Sequence, residues 1–349
     1  MTDDPEVAEL PWAQNFNETF CFDPTKSQSA SQEFEASDWT ETRLAAFIET
    51  ALGELAKFTD QSEGLPDWTW LHLSGLSKIW DAPFEYRLQL CDDEDDPEPP
   101  SSTVPASFEV DRQTDPDLIF GATCGAAAQG IIIDQVWSWV EAFLDEVTDR
   151  ENCLVILSGV RGYPLGEHHS VGFSNKDLFS ESMQIPLLLQ PGKLPIGARD
   201  CSLVQPMTYW ATIAHWLILD PDNQAALEAA MDRRPLTSNL LATHLESEKP
   251  TQRLPSSCFV SNATSAFLQV PRWTAVWRDS DDTGSMQPSL MTRLFLSPDD
   301  RWQQNDVASR ASEVANSMSE LREAWLTWFS EVGNRPAFPT LPECLKRPV

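Results

Sequence analysis

The stretch from Asn152 to Gly192, NCLVILSGVRGYPLGEHHSVGFSNKDLFSESMQIPLLLQPG, limits the fold more than any other part of the chain. It opens with an apolar run, Cys153 to Leu157, whose length and β-branched content suit a fully buried strand. Small, turn-prone residues, Ser158-Gly159, end that run. A loop carrying Gly162, Gly166 and the pair His168-His169 follows, and then a second apolar run, Ile185 to Leu189, closed by Pro191-Gly192. Strand, loop, strand is how an α/β enzyme presents chemistry at the carboxyl ends of its strands.

A chain of 349 residues can bury a large core in one or two domains, and 14 Trp with 17 Phe exclude general disorder. Its formal charge is −30, from 24 Lys and Arg against 54 Asp and Glu. Such a field repels phosphate backbones and anionic lipid, so neither nucleic acid nor a membrane surface is expected as a partner. Seven cysteines, at 21, 91, 124, 153, 201, 258 and 344, are odd in number, dispersed and never in CxxC spacing. That is neither a disulfide framework nor a zinc site, and it fits a reducing compartment. The acidic start Met1-Thr2-Asp3-Asp4-Pro5 is unlike a signal peptide, and no apolar run approaches 18 residues. The expected location is cytoplasmic.

Taken in order, residues 1–36 read as an irregular acidic segment. Asp3-Asp4 has no strand before it to hold it rigid, so it reads as a frayed terminus rather than a metal pair. Residues 39–58 place Leu44, Phe47, Ile48, Ala51, Leu52 and Leu55 at helical spacing, with Thr40 or Thr42 as cap. Thr69 to Leu76 reads as a buried strand, residues 91–117 as a loosely wrapped acidic, Pro-rich linker, and Ala126 to Glu146 as a long helix. Helices are expected again at 207–219, 223–233 and 304–331. The segments SCFVSN, AFLQV and WTAVW between Cys258 and Val276 suggest a small antiparallel sheet.

Few side chains could carry chemistry. His72 and His215 sit in apolar contexts and read as core residues, which leaves Glu167, His168 and His169 as weak catalytic candidates. Adjacent histidines cannot easily bind one ion, and no carboxylate pair stands beside them. No GxSxG elbow, Gly-rich phosphate loop or HExxH is present.

LVILSGVRGYPLGEHH followed by LFSESMQIPLLLQPG resembles the sulfatase family of the alkaline-phosphatase-like superfamily. There a strand leads into S-D-H/N-G, then L-G-E-H, then L-Y-E-E-S-x-x-V-P-L-I-x-x-P-G. Gly162 takes the motif glycine, Leu165 to His168 the second block, and Phe179 to Pro186 the third. Leu203 to Ile213 resembles the family's downstream segment, Leu294 to Ala308 its C-terminal one, and the region of Leu71 to Arg87 its "aPHxPw" loop. The resemblance implies an α/β fold, a partial sulfatase-like sheet sandwiched by helices with a small C-terminal antiparallel sheet plus helix. The partial domain would span 37–235, including the 91–117 linker, and the α+β part 236–349.

The departures are as informative. Sulfatases use a formylglycine made from C/S-x-P/A-x-R beside a calcium ion, and this chain has no C-x-P-S-R or S-x-P-S-R. The motif Asp falls on Val160, which has no lone pair, and its His/Asn neighbour on Arg161, a fixed cation where a divalent ion should sit. The "aPHxPw" histidine falls on Ser77, a sulfate-contacting lysine on Asn175 with Lys176 one place off, and a downstream Asp on Thr208. The resemblance therefore implies a chain that starts after the nucleophile and metal aspartates, with its calcium lost and its catalysis absent. Two alternatives remain: an active sulfate or phosphate ester hydrolase with atypical residues, and an anion-binding or interaction scaffold centred on Arg161 and Lys176. If the first strands are absent, an inner strand becomes an edge that a partner chain could cover.

Overall fold

Helical spacing over residues 39–58 resolves into a 3-10 turn, Trp39–Glu41, and α2, Arg43–Asp60. In the computed structural model, the described residues are 1–23, 35–60, 65–91, 95–148, 153–173, 178–191, 203–206, 209, 212–213, 257–279, 290–331 and 339–346. They form two units, one of Met1–Cys153 with Tyr163–Phe173 and one of Leu154–Gly162 with Ser174–Val349.

In the first unit, Thr42 caps α2 by accepting the Ala45 N–H at 3.3 Å. Asp81 adds a second acceptor, taking the Arg43 N–H at 2.6 Å. A short helix α1, Pro5–Ala8, precedes it, and α3, Phe84–Leu88, and α4, Pro116–Val147, follow. The last begins ten residues before the expected Ala126, because Asp115 caps it from the 3.1 Å Asp117 N–H and Pro116 occupies its first turn. Ala128, Ile132 and Val136 of α4 meet Ala45 and Ala82 in one core. By length and composition α4 is apolar enough to cross a bilayer, yet this face is packed inside the unit. Trp80 lies on Gly125, where a Cβ would come within 2.7 Å of its ring.

Three expectations need correction here. Thr69 to Leu76 is not a buried strand: Trp70 and Leu71 are exposed, His72 makes a single bridge, and Gly75–Ser77 is a 3-10 turn. The N-terminus is not frayed, since Thr2 bridges in parallel to both Cys21 and His72. Nor is the described part of the acidic linker loose. Arg87, 1% exposed, donates to the carbonyls of Pro100, Ser102 (2.9 Å) and Trp80 (2.8 Å), and the Trp80 N–H binds the Thr103 carbonyl at 2.7 Å. An acidic, Pro-rich sequence reads as solvated because its own residues have no apolar face; the anchoring donor lies outside it.

Burial pushes the Asp81 carboxyl above its ordinary 3.8, outweighing the Arg43 N–H and the nearby Arg43 and Arg87 charges. A raised folded value means that stability present below 3.8 is lost as pH rises through the folded value. Asp81→Asn keeps an oxygen for the Arg43 N–H and removes the buried charge. Its melting temperature should exceed that of the parent at about pH 7, with the gap closing toward about pH 4. A less stable variant at neutral pH would contradict this account.

In the second unit, β2 (Leu154–Ser158) pairs antiparallel with β4 (Leu187–Pro191), in register from Leu154 opposite Pro191 to Ser158 opposite Leu187. In the first unit, β1 (Phe108–Glu109) pairs with β3 (Ser170–Val171). The C-terminal sheet is antiparallel as expected, ordered β5 (Cys258–Ser261), β6 (Ser265–Val270), β7 (Trp273–Asp279), β8 (Leu290–Leu296). The fourth strand was not expected. Period-two alternation sends Ala266, Leu268, Val270, Ala275, Trp277 and Leu294 to one face and Phe267, Val276 and Phe295 to the other.

Met318, Leu321, Trp325 and Trp328 of α6, Ser312–Ser330, cover the first face. Leu178 and Phe179, just before α5 (Ser180–Met183), cover the second. The helix α6 starts later than the expected residue 304. Asp300 accepts the N–H groups of Gln304 and Asn305, and Asp306 those of Leu294 and Ala308, so these carboxylates hold the segment in turns instead. A final helix, α7, covers Glu343–Lys346. The expected helices at 207–219 and 223–233 fall almost wholly outside the described residues.

Candidate functional site

Three extended segments lie side by side at the start of the first unit. The Thr2 N–H binds the Phe20 carbonyl (3.0 Å), the Phe22 N–H the Thr2 carbonyl (2.7 Å), and the His72 N–H the Met1 carbonyl (2.9 Å). Parallel segments send the residues after them toward one end, the place where α/β folds gather functional groups. Here those residues include Asp3, Asp4 and Ser74.

Asp3 is 4% exposed. Its Oδ1 accepts the Ser74 N–H at 2.7 Å and the Ser74 hydroxyl at 2.9 Å, while its Oδ2 takes the Arg43 guanidinium at 3.2 Å. Asp4 caps α1 through the Glu6 N–H at 3.0 Å and lies 3.3 Å from Lys78 Nζ. The Thr2 hydroxyl and His72 Nδ1 are 2.9 Å apart. Each carboxylate of the acidic pair therefore faces a cation supplied by the chain itself. Sequence reasoning missed this cluster because Arg43 is 40 residues from Asp3; the available signal was the acidic pair itself.

At the strand end in the second unit, the Ser158 hydroxyl is 2.9 Å from the Tyr209 hydroxyl, and the Gly159 N–H binds the Pro186 carbonyl at 3.0 Å. The Gly162 N–H binds the Ser182 carbonyl at 3.1 Å, and a Cβ there would collide with the Glu181 carbonyl oxygen. Only glycine fits that approach. Val160, 83% exposed, and the exposed Arg161 sit between these fixed points.

Residues Tyr163–Phe173 belong to the first unit and form a tight loop closed by a Leu165–Val171 bridge and a 3.0 Å bond from the Gly166 N–H to the Ser170 carbonyl. Glu167 Oε2 accepts the Leu165 N–H at 2.6 Å, so this carboxylate braces its own turn. His168 is half-buried beside it. His169 is exposed at φ +62°, and its carbonyl accepts the Val110 N–H at 2.8 Å. Tyr163 anchors the loop: its hydroxyl donates to the Ala106 carbonyl and its ring packs on Trp80 and Phe173, with burial pushing its pKa up to about 12.

The structure thus groups Glu167, His168 and His169 on one turn, and Val160 and Arg161 on another. Lys176, Asn175 and Thr208 lie outside the described residues. Ser77 is exposed, its hydroxyl donating to the Ser74 carbonyl at 2.7 Å. Among the described residues no group of three or more His, Cys, Asp or Glu side chains is placed to hold an ion. The calcium that a sulfatase resemblance implies does not fit Asp3, whose two oxygens already have partners, nor Val160 and Arg161.

Helices around partial sheets, with a four-stranded antiparallel sheet toward the C-terminus, define a mixed α/β protein. No family model matches the sequence, and no curated protein matches it. Solved structures do match the fold. One, described as a sulfatase from Bacteroides fragilis, superposes with a TM-score of 0.57 at 16% identity, over 80% of this chain and 57% of that one. The phosphonate monoester hydrolases of Silicibacter pomeroyi and Agrobacterium radiobacter each give a TM-score of 0.54 at 14% identity, over 84% of this chain and 61% and 62% of theirs. The chain shares the α/β fold of these solved sulfatase and phosphonate monoester hydrolase structures. It spans 57% to 62% of the length of these structures.

Proposed function

We propose that this chain is a sulfatase-like scaffold without ester-hydrolase activity of its own. One observation carries the reading: the buried Asp3 carboxylate is neutralised by Arg43 and saturated by Ser74. Metal-assisted hydrolysis needs a cation with open positions to meet the charge that develops on the ester, an effect worth several kcal/mol. A guanidinium already bonded to the protein is a poor substitute, since it has no open coordination position and activates no water. Val160 and Arg161 support the same reading, because neither offers a lone pair to a metal. Glu167 supports it too, its carboxylate being engaged in its own turn.

The test is direct. The purified chain is assayed with an aryl sulfate, an aryl phosphate and an aryl phosphonate, with calcium and after chelation. The expected result is hydrolysis no faster than buffer in every arm. Protein-dependent turnover that Asp3→Ala or Glu167→Gln abolishes would establish the alternative, an active hydrolase with atypical residues.

A further inference from the structure

Next to the segments that carry the acidic cluster, three rings form a partly exposed platform in the first unit. Trp12 is 42% exposed and Trp70 is 37% exposed, with ring centroids 5.5 Å apart and planes tilted by 57°. Phe16 meets Trp12 edge-on at 6.4 Å. Two half-open indoles in contact form one contiguous aromatic surface.

Charge says what such a surface suits. Elsewhere the chain provides its own cation for an open indole: Trp302, 53% exposed, has the Arg301 guanidinium 4.3 Å above its ring. Among the described residues no Lys or Arg stands over Trp12 or Trp70. Sequence makes that unsurprising, because residues 1–24 hold six carboxylates and residues 65–77 hold Asp67, with no Lys or Arg in either. Glu6, Glu9, Glu18 and Asp67 are exposed on the chain flanking the rings. The nearby Met1 ammonium binds the Trp70 carbonyl at 2.7 Å.

We propose that the Trp12–Phe16–Trp70 face docks a basic amphipathic segment of a partner protein. Lysine or arginine side chains of that segment lie over the indole faces and toward the flanking carboxylates, and its apolar side chains cover the ring edges. A second copy of this chain is the poorer occupant, because two bodies of formal charge −30 repel each other.

Calorimetry with a helical peptide of lysines and leucines tests this at moderate salt. A lysine–serine peptide of equal charge and a glutamate–leucine peptide are the controls. The lysine–leucine peptide should bind, and Trp12→Ala/Trp70→Ala should weaken it about tenfold, as loss of two cation–π contacts implies. Glu9→Lys/Glu18→Lys, which leaves the rings in place, should weaken it as well. Any one of several results overturns the proposal: no binding, equal binding of the lysine–serine peptide, or full affinity in the double tryptophan variant with an unchanged melting temperature. Concentration-dependent self-association lost in that variant would also overturn it, by assigning the face to a second copy.

Discussion

Replacing Asp3 by alanine is expected to cost the fold about 3 to 5 kcal/mol, the usual penalty for breaking a buried ion pair from one side. The Asp3 side chain is fully buried and that of Arg43 is 14% exposed, so water cannot take over the lost partner. Arg43 Nε already lacks a hydrogen-bond partner, and removing Asp3 would orphan more of the guanidinium along with the Ser74 N–H. Asp3→Asn should cost less, because an amide oxygen still accepts from Ser74. Urea unfolding reads the losses, and Asp3→Asn combined with Arg43→Met should recover part of what either single change forfeits. Chelation should leave the parent's melting temperature unchanged. If removing divalent ions lowers it, Asp3 is a metal ligand and the ion-pair account fails.

Loss of the Arg87 guanidinium should be the next most damaging change. Arg87→Met keeps the apolar stem but leaves the carbonyls of Trp80, Pro100 and Ser102 without their donor. The Trp80 bond is buried and the other two are part-buried, and an orphaned buried acceptor costs about 1 to 3 kcal/mol, a part-buried one less. Part of that is returned, because burial already pushes the Arg87 pKa down and so disfavours the charged form. A net loss of about 3 kcal/mol is expected. The second readout is local: the segment around Pro100 to Thr103 should become a site of proteolytic cleavage in the folded variant. Arg87→Lys should not rescue, since one ammonium cannot span three carbonyls as a planar guanidinium does. An Arg87→Met protein as stable and as protease-resistant as the parent would refute the clamp.

Local rules of helix and strand formation explain what was legible beforehand. The apolar spacing and Thr42 cap of α2 and the alternation of β6 and β7 depend on residues within a turn or a strand of each other. The loop glycines were legible for the same reason, and Gly162 does meet backbone where a side chain could not fit. Illegible features depend on distant partners. Trp70 to Leu73 has the composition of a buried strand, but what it gains is one bridge to Thr2, leaving Trp70 and Leu71 open. The linker's anchor is an arginine from α3, and Asp3's partner comes from α2. At the candidate site, Glu167, His168 and His169 lie on a loop turn, as the glycines around them imply, but the sequence could not show that the carboxylate braces the Leu165 N–H. That role depends on a backbone turn, not on a motif.

The division into two units has a consequence for how the chain can be cut or made. Each unit is discontinuous: the chain leaves the first after Cys153, gives Leu154–Gly162 to the second, returns for Tyr163–Phe173, and leaves again. A fragment ending at residue 153 would lack β3, the partner of β1, and the Tyr163 ring that packs on Trp80. One starting at residue 174 would lack β2, the partner of β4. During synthesis from the N-terminus, Thr2 must wait for His72 to emerge before its second neighbour exists, and Phe108 must wait for Val171. Neither half can be completed as a contiguous piece, so dissection of this chain by truncation removes structural parts from whichever half is kept.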